Sequence, residues 1–242
     1  VSTGRLIGVG VGPGDPELLT VKAVRALAEA DVLAHFAKAG NPSNARAIAE
    51  RYFKPGAIEL PLLYPVTTEV ARGEPGYDDA IRDFYESAAL SVAHHLDQGR
   101  TVVVLSEGDP LFYGSYMHLH LRLNRRYPTE VIPGVTSLSG CWSAAGLPLA
   151  QGDDVLSVLP ATLPEAELTR RLGESDAVAV IKLGRNLPKV RRALIGAHRL
   201  DGAVYVERGT MADAAVMPLA GKADDAAPYF AVVLVPGWAG RP

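Results

Sequence analysis

A single cysteine, Cys141, occurs in 242 residues, which excludes an intrachain disulfide and a zinc site built of cysteines. That scarcity fits a reducing compartment. A basic excess is also missing: 24 Lys and Arg stand against 27 Asp and Glu, for a formal net charge of −3. Without a domain-wide positive balance, nucleic acid is not expected as the main partner. No apolar run approaches the roughly 20 residues of a membrane span. VSTGRLIGVG at the start lacks the charged and long apolar segments of a secretory signal. No membrane partner is therefore expected, and a cytoplasmic location is. No internal repeat or low-complexity tract stands out.

Several familiar motifs are absent too. No frame of GVGVGPGD (residues 8–15) satisfies G-x-G-x-x-G, and G-x-x-x-x-G-K-[ST] occurs nowhere, which argues against Rossmann-type and P-loop nucleotide chemistry. His94-His95 and His118-x-His120 do not put two imidazoles on one helix face, so no metal site is expected. GVTSLSG (residues 134–140) lacks the nucleophile-elbow pattern of a serine hydrolase. Glu107 and Asp109, two residues apart in a loop, are weak grounds for carboxylate-pair hydrolysis. The pairs Arg170-Arg171 and Arg191-Arg192, and Arg122 with Arg125 and Arg126, suit a polyanion, but such clusters are more often solvated helix faces.

What is present is a soluble globular composition, 48% hydrophobic and 21% charged. RLIGVGVG (residues 5–12) reads as a strand running into a glycine-rich loop. A helix is expected over 17–28 with Asp15 as its cap, then a strand over 30–36, a helix from the Ser43 cap to Arg51, and a strand over 57–63. Residues 64–79 read as a long loop, of the kind that is usually functional or disordered. A helix over 78–98, stopped by Gly99, leads to TVVVL (residues 101–105), a β-branched run that reads as a strand buried on both faces. A helix over 113–126 and the short strand TEVI complete five strands alternating with helices, the pattern of a parallel doubly wound sheet.

The second half is different. Strands are expected at 155–159, 177–183, 203–207, 214–218 and 229–235, with helices only at 164–172 and 188–197. The last three strands are too close in sequence for helical crossovers, so this sheet should be mixed or antiparallel. The fold class is α/β: an N-terminal domain over 1–133 with a parallel sheet and a C-terminal domain over 138–242 with a mixed one, the active site expected in a cleft between them.

The segment SEGDPLFYGS (residues 106–115) lies where the buried TVVVL strand ends and a helix begins, the position at which open α/β sheets bind ligands. Gly108 permits close backbone approach, Pro110 stiffens the turn, and Glu107 with Asp109 makes the loop anionic. Such a loop suits a cation or a ribose rather than a phosphate. With GVGVGPGD and PGVTS, it forms three loops after the first, fourth and fifth strands, fit to surround one small molecule carrying a positive charge and a ribose.

VGVGPGDPELLTVKAVRALAEADVL, SEGDPLFYGS and PGVTSLSG resemble, in order and spacing, the tetrapyrrole (corrin/porphyrin) methyltransferases. VIKLGRN, VYVERGT and PYFAVVLV continue the match through the second half. The resemblance implies a homodimer that uses S-adenosyl-L-methionine, releases S-adenosyl-L-homocysteine, and methylates a small-molecule tetrapyrrole. It places cofactor contacts at Pro13, Glu107, Gly108, Asp109, Phe112, Thr136, Ser137, Leu183, Gly209 and Tyr229. Glu107 stands where the family's first methyltransferase usually has Gly. Phe36 stands where that enzyme carries an Asp proposed as proton acceptor, so that role does not carry over and no catalytic residue is assigned. Tyr64, Thr67 and Thr68 are the expected substrate contacts, in a loop over 64–76 that would serve as a lid.

Overall fold

The computed structural model describes residues 3–65 and 76–237. The chain divides into two compact units, Val1–Thr136 and Ser137–Pro242.

The first unit runs β1 (Arg5–Gly10), α1 (Val21–Glu29), β2 (Val32–Lys38), α2 (Asn44–Ala49), β3 (Ile58–Tyr64), α3 (Tyr77–Asp97), β4 (Thr101–Ser106), α4 (Tyr116–Leu123) and β5 (Thr129–Ile132). Its sheet has the order β3-β2-β4-β1-β5, with every pairing parallel. Parallel strands need crossovers, and the crossovers cover both faces. Ile7, Val9, Leu33, Val103 and Leu105 pack with Ala23, Leu27 and Ile48 of α1 and α2. Their neighbours Leu6, Ala34, Val102 and Val104 pack with Val92, Leu96 and Leu119 of α3 and α4. Period-two alternation therefore sends successive side chains into two cores, which is why TVVVL carries no polar face.

Two helices differ from the sequence expectation. The helix expected from residue 17 begins at Val21, because Asp15 caps only a 3₁₀ turn over Pro16–Leu18, accepting from the Glu17 N–H at 2.8 Å. Leu19 is then extended, and Thr20 caps α1 proper by accepting from the Ala23 N–H at 3.1 Å. The helix expected over 113–126 shortens to Tyr116–Leu123, since Tyr113 has φ +57° and the chain is still turning there.

The second unit contains α5 (Ser137–Ala144), β6 (Leu156–Pro160), α6 (Glu165–Glu174), β7 (Ala177–Ile181), α7 (Leu187–Gly196), β8 (Val204–Glu207), β9 (Ala215–Pro218) and β10 (Ala231–Val235). Its sheet, in the order β6-β7-β10-β8-β9, is mixed: β6 and β7 are parallel, the remaining pairs antiparallel. α6 and α7 cover one face through Leu168, Leu172, Val190 and Leu194. The other face is covered by α5, a helix missing from the sequence reading. Ser and Gly dilute the apolar period of SLSGCWSA, yet burial of Leu138 and Cys141 against Ala179, Val206 and Leu234 holds it in place.

No helix among the described residues is long and apolar enough to cross a membrane.

Candidate functional site

Three loops leave the carboxyl ends of the adjacent strands β4, β1 and β5, the edge where open α/β sheets bind ligands. They are knotted together by backbone. Gly108, at φ +63°, donates its N–H to the Gly12 carbonyl at 2.8 Å, forming an isolated antiparallel bridge. A Cβ at Gly10 would lie 2.5 Å from the Gly108 carbonyl oxygen and 2.5 Å from the Gly134 nitrogen. No side chain fits between those backbones, so close approach, rather than the turn alone, demands glycine here. The result is a rim of bare peptide groups with Pro13 half-buried beside it.

Asp109 helps to close this rim. Its Oδ1 accepts from the Leu111 N–H at 2.9 Å and its Oδ2 from the Gly134 N–H at 3.2 Å. The carboxylate thus joins the β4 loop to the β5 loop, and each oxygen retains a lone pair for a further donor such as a hydroxyl.

Glu107 departs from the expected anionic wall. Its carboxyl is turned to the first turn of α2, accepting from the Asn44 side chain and the Ala45 N–H. Burial pushes its pKa above the ordinary carboxylate value, and those hydrogen bonds offset only part of the rise. The side chain braces α2 against the end of β4, so the charge that the loop was expected to show a cationic ligand falls to Asp109.

Phe112 is 38% exposed and meets Tyr113 edge to face at 4.9 Å. Thr136 is half-buried at the end of the β5 loop. In the second unit, Ser137 is exposed at the start of α5, and Tyr229 is 75% exposed with its ring against Phe230. Leu183, in contrast, is 1% exposed inside the core of its unit. What it can offer a ligand is backbone. A Cβ at Gly209 would come within 2.9 Å of Cys141 Cα and Sγ, so helix packing by itself already requires that glycine. Thr67 and Thr68 lie outside the described residues; Tyr64, the last residue of β3, is half-buried.

The arginine clusters are largely taken up by carboxylates. Arg122 pairs with Glu86 at 2.8 Å, Arg170 and Arg171 with Glu167 at 2.8 and 2.5 Å, Arg191 with Asp225 at 3.1 Å and Arg192 with Glu165 at 2.8 Å. Among the described residues no three His, Cys, Asp or Glu side chains gather as a metal site. Burial pushes the Cys141 thiol up to about 11, leaving it a packing residue.

A parallel five-stranded sheet with a glycine-rimmed loop site, followed by a mixed-sheet unit, defines a class of two-unit α/β proteins. Comparison with known proteins names it. The family model described as Tetrapyrrole (Corrin/Porphyrin) Methylases matches residues 5–224. A precorrin-2 C(20)-methyltransferase from Sinorhizobium sp is 67% identical over 242 residues, covering 100% of this chain and 99% of the relative. Among solved structures, a cobalt precorrin-4 methyltransferase, CbiF, aligns with TM-score 0.73 and 26% identity, over 98% of this chain and 96% of that one. A uroporphyrin-III C-methyltransferase from Thermus thermophilus, solved with S-adenosyl homocysteine, shares the fold at TM-score 0.64 and 24% identity, over 97% and 98% of the two chains. The chain belongs to the tetrapyrrole (corrin/porphyrin) methylases and is a methyltransferase.

Proposed function

We propose that this enzyme transfers a methyl group from S-adenosyl-L-methionine to C20 of precorrin-2, giving precorrin-3A and S-adenosyl-L-homocysteine, in cobalamin biosynthesis. The observation that carries the reading is the 67% identity, over essentially both full chains, to a precorrin-2 C(20)-methyltransferase. HFAKAGNPSNARAIA, LLYPVTTE and KLGRNLPKVRRAL point to the same branch of the family. The Thermus relative bound to the demethylated cofactor supports S-adenosyl-L-methionine as the methyl source.

The site residues fit such a cofactor. Glycine at positions 10 and 134 lets the three loop backbones close on one another, and the peptide groups at the rim of those loops are the ones assigned to read the edge of a flat base. The Asp109 carboxylate, held by two backbone N–H groups, can take ribose hydroxyls and favours the positive sulfonium. Pro13, Phe112 and Thr136 supply apolar and hydroxyl contacts from the same unit. Ser137, Gly209, Tyr229 and the backbone of Leu183 are the contacts assigned to the second unit, and Glu107 acts by bracing the β4 loop. The cofactor brings an already activated methyl group, so the protein's task is orientation and exclusion of water. C20, an electron-rich carbon, forms the new bond as the S–CH₃ bond breaks in line, its electron pair returning to sulfur. The C20 proton leaves afterwards, and no strong base is required. Tyr64 is the described residue assigned to the acceptor, together with Thr67 and Thr68. The homodimer is a reading carried by the family resemblance, and the cytoplasmic location one carried by the single cysteine, which fits a reducing compartment.

The test is incubation with methyl-¹³C-labelled S-adenosyl-L-methionine and precorrin-2, with and without cobalt. Label at C20 by NMR is the expected outcome. Label at another carbon, or none, would overturn the assignment.

A further inference from the structure

Among the described residues, four that are not glycine hold a left-handed backbone: Tyr113 at φ +57°, Lys182 at +59°, His198 at +56° and Arg208 at +50°. For a residue with a Cβ that conformation costs free energy, and asparagine is one of the few that adopts it readily. His198 has an ordinary reason for it. Its N–H donates to the Ile195 carbonyl at 3.0 Å and the next N–H, of Arg199, to the Leu194 carbonyl at 2.9 Å. That is the way a helix end such as that of α7 closes on a left-handed residue. The other three each adjoin a cofactor contact assigned above. Tyr113 follows Phe112, Lys182 precedes Leu183, and Arg208 precedes Gly209.

Lys182 and Arg208 belong to one edge of the second sheet. β7 and β8 both run antiparallel to β10, which lies between them, so they end on the same side. Lys182 is the first residue beyond β7 and Arg208 the first beyond β8, and Tyr229 and Phe230 lead into β10 there.

Both conformations are held from outside. The Ile181 carbonyl before Lys182 accepts from the Ala161 N–H at 2.7 Å, and Leu183 after it is anchored in the core. Arg208 donates its N–H to the Phe230 carbonyl at 2.8 Å and accepts at its own carbonyl from the Met211 N–H at 2.8 Å. Its guanidinium pairs with Glu207 and Asp213, each at 3.0 Å. Strain persists where the surroundings over-determine it, and it gathers at ligand sites. Around Leu183 the hand also alternates. Lys182 is left-handed, Leu183 right-handed at φ −60° and ψ −76°, and Gly184 left-handed at φ +42°. Such alternation turns successive peptide N–H groups to one side.

We propose that Lys182 and Arg208 are positioning residues of the cofactor site: their left-handed backbones fix the peptide groups of Leu183 and Gly209 in the direction that receives the polar edge of the S-adenosyl group. Their side-chain charges take no part. The proposal rests on S-adenosyl-L-methionine as the cofactor.

The experiment compares valine, which rejects the left-handed region, with asparagine, which tolerates it, at both positions of the full chain. Lys182→Val and Arg208→Val should each weaken S-adenosyl homocysteine binding in calorimetry by about tenfold, the effect of one misdirected hydrogen bond. Lys182→Asn and Arg208→Asn remove the same charges and should stay within about twofold of wild type. His198→Val meets the same backbone conflict after α7 and is the control: its Tm should fall as in the other valine variants, and its cofactor affinity should not. In the wild type, the amide signals of Leu183, Gly184 and Gly209 should shift on binding S-adenosyl homocysteine while that of His198 stays. Valine variants that bind as wild type, asparagine variants that lose as much as valine, or an equal loss in His198→Val would overturn the proposal. Unmoved amides at the three positions would do so even where a valine variant fails to fold. A wild type that does not bind S-adenosyl homocysteine removes the cofactor reading itself; a wild type that binds, with indifferent valine variants, removes the positioning role alone.

Discussion

Glu107 stands one residue beyond β4, and its carboxyl turns inward to α2. Because burial raises its pKa above the ordinary 4.5, the folded chain binds this proton more tightly than the unfolded chain. Stability from the group is therefore present at acid pH and falls as pH rises past 4.5 towards the raised value. Glu107→Gln removes the titration, so urea unfolding of the variant should lack that part of the decline above pH 4.5. Identical slopes in the two proteins would refute the inward placement. Asp109 is the counterpart that faces the rim, and Asp109→Ala removes both loop hydrogen bonds. Affinity for S-adenosyl homocysteine should fall about tenfold or more; calorimetry showing no change would take Asp109 out of the site. Neither side chain's direction follows from SEGDPL as written. Two acidic residues in one loop look alike until the fold brings the start of α2 to one and the β5 loop to the other.

Among the elements, those with a strong period or a run of β-branched residues were legible from sequence, and those held by tertiary contacts were not. TVVVL could hardly be anything but a buried strand, and the long helix α3 ends within a residue or two of its expected bounds. The start of α1 was misplaced because Asp15 and Thr20 are both competent caps, and only the extended backbone at Leu19 separates them. Thr20→Ala should cost about 1 kcal/mol in denaturant unfolding, whereas Asp15→Ala, which caps only a single 3₁₀ turn, should cost clearly less. The reverse ranking would show that Asp15 governs the helix. α5 was missed because Ser and Gly dilute its period, and burial against a sheet was needed to make it a helix. Packing of β1 on α4 can be tested in the same way: a Cβ on Gly8 runs into the Tyr116 ring, so Gly8→Ala should destabilise by about 1–3 kcal/mol. A neutral substitution would mean that the ring moves aside freely.

At the scale of the whole chain, each unit buries its central strands under helices and leaves its outer strands more open. β1 and β4 in the first unit and β7 and β10 in the second are almost wholly buried, while β3 and β9 alternate with exposed residues. Amide exchange should follow that order, slowest in β1, β4, β7 and β10 and faster in β3 and β9; uniform protection across either sheet would contradict it. By itself, the amino-acid sequence determined the class: hydrophobic runs of strand length alternate with helical periods in the first half and crowd together in the second. Burial requirements turn those patterns into a parallel sheet and a mixed one. It marked the three loops that the fold brings together as well, because glycine is needed where their backbones approach this closely. The tertiary structure alone decided which polar side chains the site retains. Glu107 was claimed by α2, and the arginine clusters were largely neutralised by their neighbours. The physical reason is the same in each case. Backbone pattern is local and periodic, whereas a side-chain partner is whichever group the fold brings within about 3 Å. Its choice therefore waits on contacts between residues far apart in the chain.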